Sequence, residues 1–276
     1  MRKFSLAFLT VPDIGPLDAI RIAAETGYQL VGLRLMPATP KEAPYPLLSD
    51  ERLLREAVAA TRDLGVAIGD LEIIRLSPGM NMAALTPAFD RACRLGGNHM
   101  TVVNDDPEEN RTIDSFARLS EAAAPFGLTI NLEPMPWTRT RTLSQAVHIL
   151  EGASQPNTGI LIDSLHFFRG GSRLEQLQAL PRQWLNVFQL SDAPAAFDPR
   201  PDVIRHQART ARLMPGQGEL DLTGLIEIMP PEAIVSIEVP NRELLRTTPP
   251  RERAALALAA TQQLYTAQSV PAGSTP

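Results

Sequence analysis

The chain has 276 residues, 44% of them hydrophobic, and a formal net charge of −5. That is apolar material enough for one large globular domain or two small ones, and without a long basic run a broad nucleic-acid surface is not expected. The single cysteine, Cys93 in "FDRACRLGG", excludes a disulfide framework or a multi-cysteine zinc site within the chain and is expected to be a small buried residue on an amphipathic helix. Lys3 and Lys41 are the only lysines, so 24 of the 26 basic residues are arginines. Neither lysine is placed for the lowered pKa that a Schiff-base mechanism needs.

The first apolar run, in "MRKFSLAFLTVP", is short and is followed by Pro12 and Asp13, so it reads as a strand rather than a signal peptide. No run approaches the roughly 20 apolar residues of a membrane helix, and a cytoplasmic location is expected. From there, short apolar runs alternate with amphipathic stretches. "FSLAFL" precedes "PLDAIRIAAETG", "QLVGLRL" precedes "DERLLREAVAATRDLG", "VAIGDLEII" precedes "MAALTPAFDRACRLGG", and "HMTVV" precedes "DSFARLSEAAAPFG". "LTINLE" leads to "LSQAVHILEGA", "TGILID" to "RLEQLQALP", "WLNVFQL" to "LDLTGLIEIMP", and "AIVSIEV" to "PRERAALALAATQQLY".

These eight strand-helix units predict an α/β fold, a single (β/α)8 TIM barrel over residues 1–266 with a flexible tail over 267–276. An open doubly wound sheet is disfavoured, because no G-x-G-x-x-G follows the first strand.

In such a barrel the chemistry collects at the carboxyl ends of the strands. Strand 5 ends at Glu133, strand 6 at Asp163, strand 7 near Gln189 and strand 8 at Glu238. Each acid alone has an ordinary explanation: Asp163 can cap "SLHFF" and Glu238 can pair with Arg242. Four consecutive strands ending this way would instead aim three carboxylates and an amide at one mouth. Buried carboxylates repel one another and need a cation among them. A hard divalent ion suits four oxygen donors, Mn²⁺ or Mg²⁺ best, with Co²⁺ and Zn²⁺ as alternatives. Of the histidines, His166 is either packed or a substrate contact, His99 is expected at the opposite face, His148 on a helix, and His206 in the long loop after strand 7. The glycine-rich "PGQGELDL" can cradle a phosphate only against Glu219 and Asp221, so an unphosphorylated substrate is favoured.

The motifs "NLEPMPW", "LIDSLHFFR", "FQLSDAP", "RLMPGQGELDL" and "SIEVPN" resemble the sugar phosphate isomerase/epimerase family. These are xylose-isomerase-like TIM barrels that include ketose 3-epimerases, inosose isomerases and inosose dehydratases. The resemblance implies that Glu133, Asp163, Gln189 and Glu238 bind the metal, that Glu133 and Glu238 also serve as acid and base, and that His166 and an arginine after strand 7 contact substrate. Arg209 is the choice for that arginine, with Arg212 close behind. Gln189 departs from the histidine of better-known members, which shifts preference away from zinc. DNA-repair endonucleases share the barrel, but their histidine-rich zinc sites do not match this inventory.

The function expected is a divalent-metal-dependent sugar isomerase or epimerase that transfers a proton next to a carbonyl through an enediolate. A keto-sugar or inosose dehydratase on the same site is the alternative, and a non-catalytic sugar- or partner-binding barrel is the second. The partner expected is a small sugar or polyol-derived molecule, with neither nucleic acid nor membrane; the resemblance also admits a homodimer.

Overall fold

The computed structural model describes residues 2–39 and 42–269, so Lys41 and residues 270–276 of the expected tail lie outside the described residues. Eight strands, β1 (Phe4–Leu6), β2 (Leu30–Arg34), β3 (Ala67–Leu76), β4 (His99–Asn104), β5 (Thr129–Leu132), β6 (Thr158–Asp163), β7 (Val187–Leu190) and β8 (Ile234–Ile237), pair in parallel and in sequence order. β1 also pairs with β8, which closes the barrel. The strands are short and buried on both faces, β2 and β6 throughout, as parallel barrel strands must be when helices cover the outside.

The helices are α1 (Pro16–Thr26), α2 (Glu51–Leu64), α3 (Thr86–Arg94), α4 (Glu109–Ala123), α5 (Leu143–Ala153), α6 (Ser164–Arg169), α7 (Leu174–Gln178), α8 (Pro201–Thr210), α9 (Leu222–Ile228), α10 (Arg242–Thr247) and α11 (Pro250–Ser269). Every expected strand-helix unit is present. α2 shows how local sequence sets the ends: the Asp50 side chain accepts from the Arg52 and Leu53 amides, and Gly65 closes the helix at φ 68°. α11 continues to Ser269.

Three further helices, α6, α8 and α10, lie outside these units, and α8 occupies the segment that reads as a long loop after strand 7. α6 forms because Asp163 caps it, accepting a hydrogen bond from the His166 amide. α8 and α10 lack an apolar stripe: α8 buries only Ile204 and Ala208, and α10 buries none of its residues. His206 therefore sits on a helix and not in an open loop.

Cys93 corrects another expectation. α3 is amphipathic as read, but its buried residues are Ala88, Phe89 and Ala92, and one further step around the helix leaves Cys93 exposed. The "PGQG" turn, considered as a phosphate cradle, spends its amides internally: Gly216 and Gly218 both donate to the Asp192 carboxylate, at 3.0 and 2.9 Å. Asp221 caps α9 through the Gly224 amide. Among the described residues no helix is long and apolar enough to cross a membrane.

Candidate active site at the carboxyl end of the barrel

Strand geometry brings the four strand-end residues together. Asp163 is the last residue of β6 and pairs in register with Gln189 of β7, while Glu133 and Glu238 follow β5 and β8 directly. With His166 and Arg212 they form an enclosed cluster in which each residue is 3% exposed or less. Glu133, Gln189, Glu238, His166 and Arg212 line a cavity of about 240 Å³, and Arg209, itself exposed, also lines it.

Arg212 is the centre of the charge pattern. Its Nη1 lies 2.5 Å from Asp163 Oδ2 and its Nη2 3.0 Å from Glu238 Oε2. Isolated bridges of Ala211 to Asn241 and of Asp192 to Leu213 fold the segment after α8 back over the mouth, and Arg212 Nε donates to the Ala208 carbonyl. Arg212 Nη2 also approaches His166 Nε2 at 3.3 Å. A guanidinium only donates, so Nε2 is the acceptor and the imidazole proton resides on Nδ1, which donates to Glu133 Oε1 at 2.9 Å.

The electrostatics follow from burial and crowding. Burial pushes the His166 pKa down to about 4, so the ring is neutral. Burial, and then the charge of Asp163, hold the Glu133 carboxyl well above its ordinary range; burial does the same to Glu238 against the pull of Arg212. Asp163 is equally buried, but Arg212 and His166 keep it below its ordinary value. Burial opposes the charge of Arg212, yet Asp163 and Glu238 raise its pKa.

The donor set fits a hard divalent cation. Gln189 donates from Nε2 to Glu238 Oε1 at 3.3 Å, while its own Oε1 is buried without a hydrogen-bond partner. An orphaned amide oxygen beside three carboxylates, two of them pushed toward protonation, is a site short of positive charge. Glu133, Asp163 and His166 also place potential ligand atoms within 4.8 Å of one another.

Several lining residues escaped the sequence reading. Glu72 on β3 and Trp137 after β5 both face the cavity, and Arg34 on β2 pairs with Glu72. Asp70 and Glu72 are acids two apart inside the apolar run "VAIGDLEII"; that period of two, which puts them on one strand face, was an available signal. Burial, then Glu72, raises the Asp70 pKa to about 7. The remaining histidines lie away from the cluster: His99 starts β4 at the opposite end, and His148 is exposed, 3.0 Å from Glu109.

The sequence model of the xylose isomerase-like TIM barrel matches residues 20–264. The chain belongs to that family. Within it, this barrel is 28% identical over 178 residues to a 3-dehydroshikimate dehydratase of Pseudomonas putida, covering 59% of this chain and 27% of that protein. It is 28% identical over 145 residues to an inosose isomerase of Bacillus subtilis, covering 50% and 49%. This xylose isomerase-like barrel thus spans half or less of the curated relatives it matches. In fold it is similar to the crystal structure of the IOLI protein with a bound zinc atom, at a TM-score of 0.80 and 20% identity over 96% of this chain and 98% of that one.

Proposed function

We propose that the chain is a divalent-metal-dependent isomerase or epimerase that moves a proton at the carbon next to the carbonyl of a small polyhydroxylated ketone. The observation that carries this reading is the pair Glu133 and Glu238. Both are buried, both line the same cavity, both are biased toward the protonated form, and Asp163 and Gln189 lie between them in strand order. Glu133, Asp163, Gln189 and Glu238 would hold the metal. Their oxygens favour Mn²⁺ or Mg²⁺, with Co²⁺ and Zn²⁺ as alternatives. The ion would polarise the ketone and stabilise the enediolate charge.

The chain's own groups divide the remaining work. One glutamate, as carboxylate, takes the carbon-bound proton; the other, as carboxylic acid, returns one. His166, neutral and donating from Nδ1, orients Glu133, and its Nε2 can exchange Arg212 for a substrate hydroxyl. Arg212 offsets the charge that collects on Asp163 and Glu238. Arg209, which also lines the cavity, binds a substrate oxygen.

A second reading is elimination of water from the same enediolate. Arg209 favours it: among the described residues this cavity-lining guanidinium has no hydrogen bond or ion pair, which suits a substrate carrying a carboxylate. The relative named 3-dehydroshikimate dehydratase points the same way.

The test is incubation of the manganese-supplemented protein in deuterium oxide with inososes, ketoses and 3-dehydroshikimate, followed by mass spectrometry. A gain of one mass unit with the metal present, reduced by about 10²–10⁴ in Glu133→Gln and Glu238→Gln, supports isomerisation. Loss of water supports the dehydratase. Binding without either change would make the barrel a binding module and remove the proposal.

A further inference from the structure

Two cavity-lining side chains that take no part in the proton transfer each keep one polar atom unpartnered among the described residues. Glu72 is 3% exposed, and its Oε2 accepts from Arg34 Nε at 3.1 Å and from Nη2 at 2.5 Å. Its Oε1 is buried without any hydrogen-bond partner, although the residue lines the cavity. Trp137, a second lining residue, has its Nε1 likewise enclosed and unpartnered among the described residues, and the indole stands edge-on to His166 with ring centroids 4.9 Å apart.

Glu72 is held in place. Arg34 is clamped by Phe8, whose ring centroid lies 4.5 Å from the guanidinium carbon, so the bonded oxygen of Glu72 has little freedom to turn. The strand itself is irregular here. The register of β3 shifts against β2 between Val31 and Leu33, and against β4 between Leu71 and Ile74, so Glu72 lies in a stretch that departs from regular pairing. Leaving a buried carboxylate oxygen and a buried indole N–H unpaired costs stability, and a ligand that satisfies both recovers it.

We infer that Glu72 and Trp137 are specificity-determining residues that read two non-reacting hydroxyls of a ring polyol: Glu72 Oε1 accepts from one and Trp137 Nε1 donates to the oxygen of the other. The inference rests on the proposed reading of the cavity as a substrate site. An ion-paired carboxylate only accepts and an indole only donates, so the two positions are not interchangeable. A carboxylate or a carbonyl facing Glu72 would be repelled. The anionic end of any charged substrate therefore lies away from the Glu72 carboxylate.

The test is calorimetric titration of the manganese-supplemented protein with myo-inositol, which has no ketone to react, and with its monodeoxy derivatives. In the unaltered protein two different deoxy positions should each weaken binding about tenfold or more. Glu72→Ala should weaken myo-inositol by a similar factor and leave unchanged the derivative that lacks the hydroxyl it reads. Trp137→Phe should do the same for a second derivative. Because this second variant removes the N–H while keeping an aromatic ring and changing no charge, it carries the test if Glu72→Ala does not fold. Equal losses across all derivatives, no loss in either variant, or no binding of myo-inositol by the unaltered protein overturns the inference. Selective coupling without deuterium exchange in any ketone keeps the specificity pair and discards the proposed reaction; exchange without coupling does the reverse.

Discussion

Arg212 and Asp163 meet at 2.5 Å in a fully enclosed ion pair, and the same guanidinium reaches Glu238 at 3.0 Å. One monovalent cation is thus shared by two of the four residues proposed to hold a divalent one. Removing one partner of a buried pair leaves an uncompensated charge, a loss of about 3–5 kcal/mol. Arg212→Met should therefore lower the melting temperature in chelator, and added manganese should restore much of it. Thermal unfolding with EDTA and with Mn²⁺ checks this; a melting temperature indifferent to the substitution would remove Arg212 from the charge balance.

Metal binding should release protons. Burial and neighbouring charge hold Glu133 and Glu238 above their ordinary range, so both favour the protonated form, and a bound cation needs the carboxylate. Protons and metal compete for the same oxygens. Apparent metal affinity must then rise with pH, and calorimetric heats must vary with the ionisation enthalpy of the buffer. Buffer-independent heats and a flat pH dependence would show that these carboxylates are not the ligands.

In the proposed metal site Gln189 would supply an amide oxygen where an imidazole would favour softer ions. Gln189→His should raise the preference for zinc over manganese, and Gln189→Ala should weaken manganese about tenfold or more. Competition between the two metals, measured by elemental analysis, decides it. An unchanged ratio in Gln189→His would place the side chain outside the coordination shell.

His99 makes the fold sensitive to acid at the end opposite the site. Burial lowers its pKa from 6.5 to about 4, and Asn131 Nδ2 lies 3.3 Å from Nδ1, where it can donate only to an unprotonated nitrogen. The unfolded chain binds this proton first as pH falls. The stability that the neutral ring contributes is therefore complete above about 6.5 and is lost on the way down toward 4. Urea unfolding midpoints across that window should fall less steeply in His99→Gln than in the unaltered chain.

The expected strand-helix units are all present because each depends on local pattern. A strand buried on both faces is a short apolar run, and a covering helix is an apolar stripe ended by glycine or an acid cap. β6 spans Thr158–Asp163, matching the run "TGILID". Glu133, Asp163, Gln189 and Glu238 were legible for the same reason: barrel topology sends strand ends to one mouth, so a position along the chain becomes a position in space. Cys93 was misplaced because the phase of a helix is set by what it packs on, and a difference of one residue turns a side chain from the core to solvent.

Sequence alone thus determined the barrel and four residues at its mouth through periodicity and strand order, and pointed to the family through the resemblance of its strand-end motifs. Tertiary structure decided which cation those residues already share. Arg212 lies in a segment with no period of its own, and two antiparallel bridges bring it to Asp163 and Glu238. It also decided that Glu72 and Trp137, far apart in the chain, each leave a polar atom unpaired at one cavity. Pairing across a closed barrel depends on three-dimensional distance, which no local pattern of residues encodes.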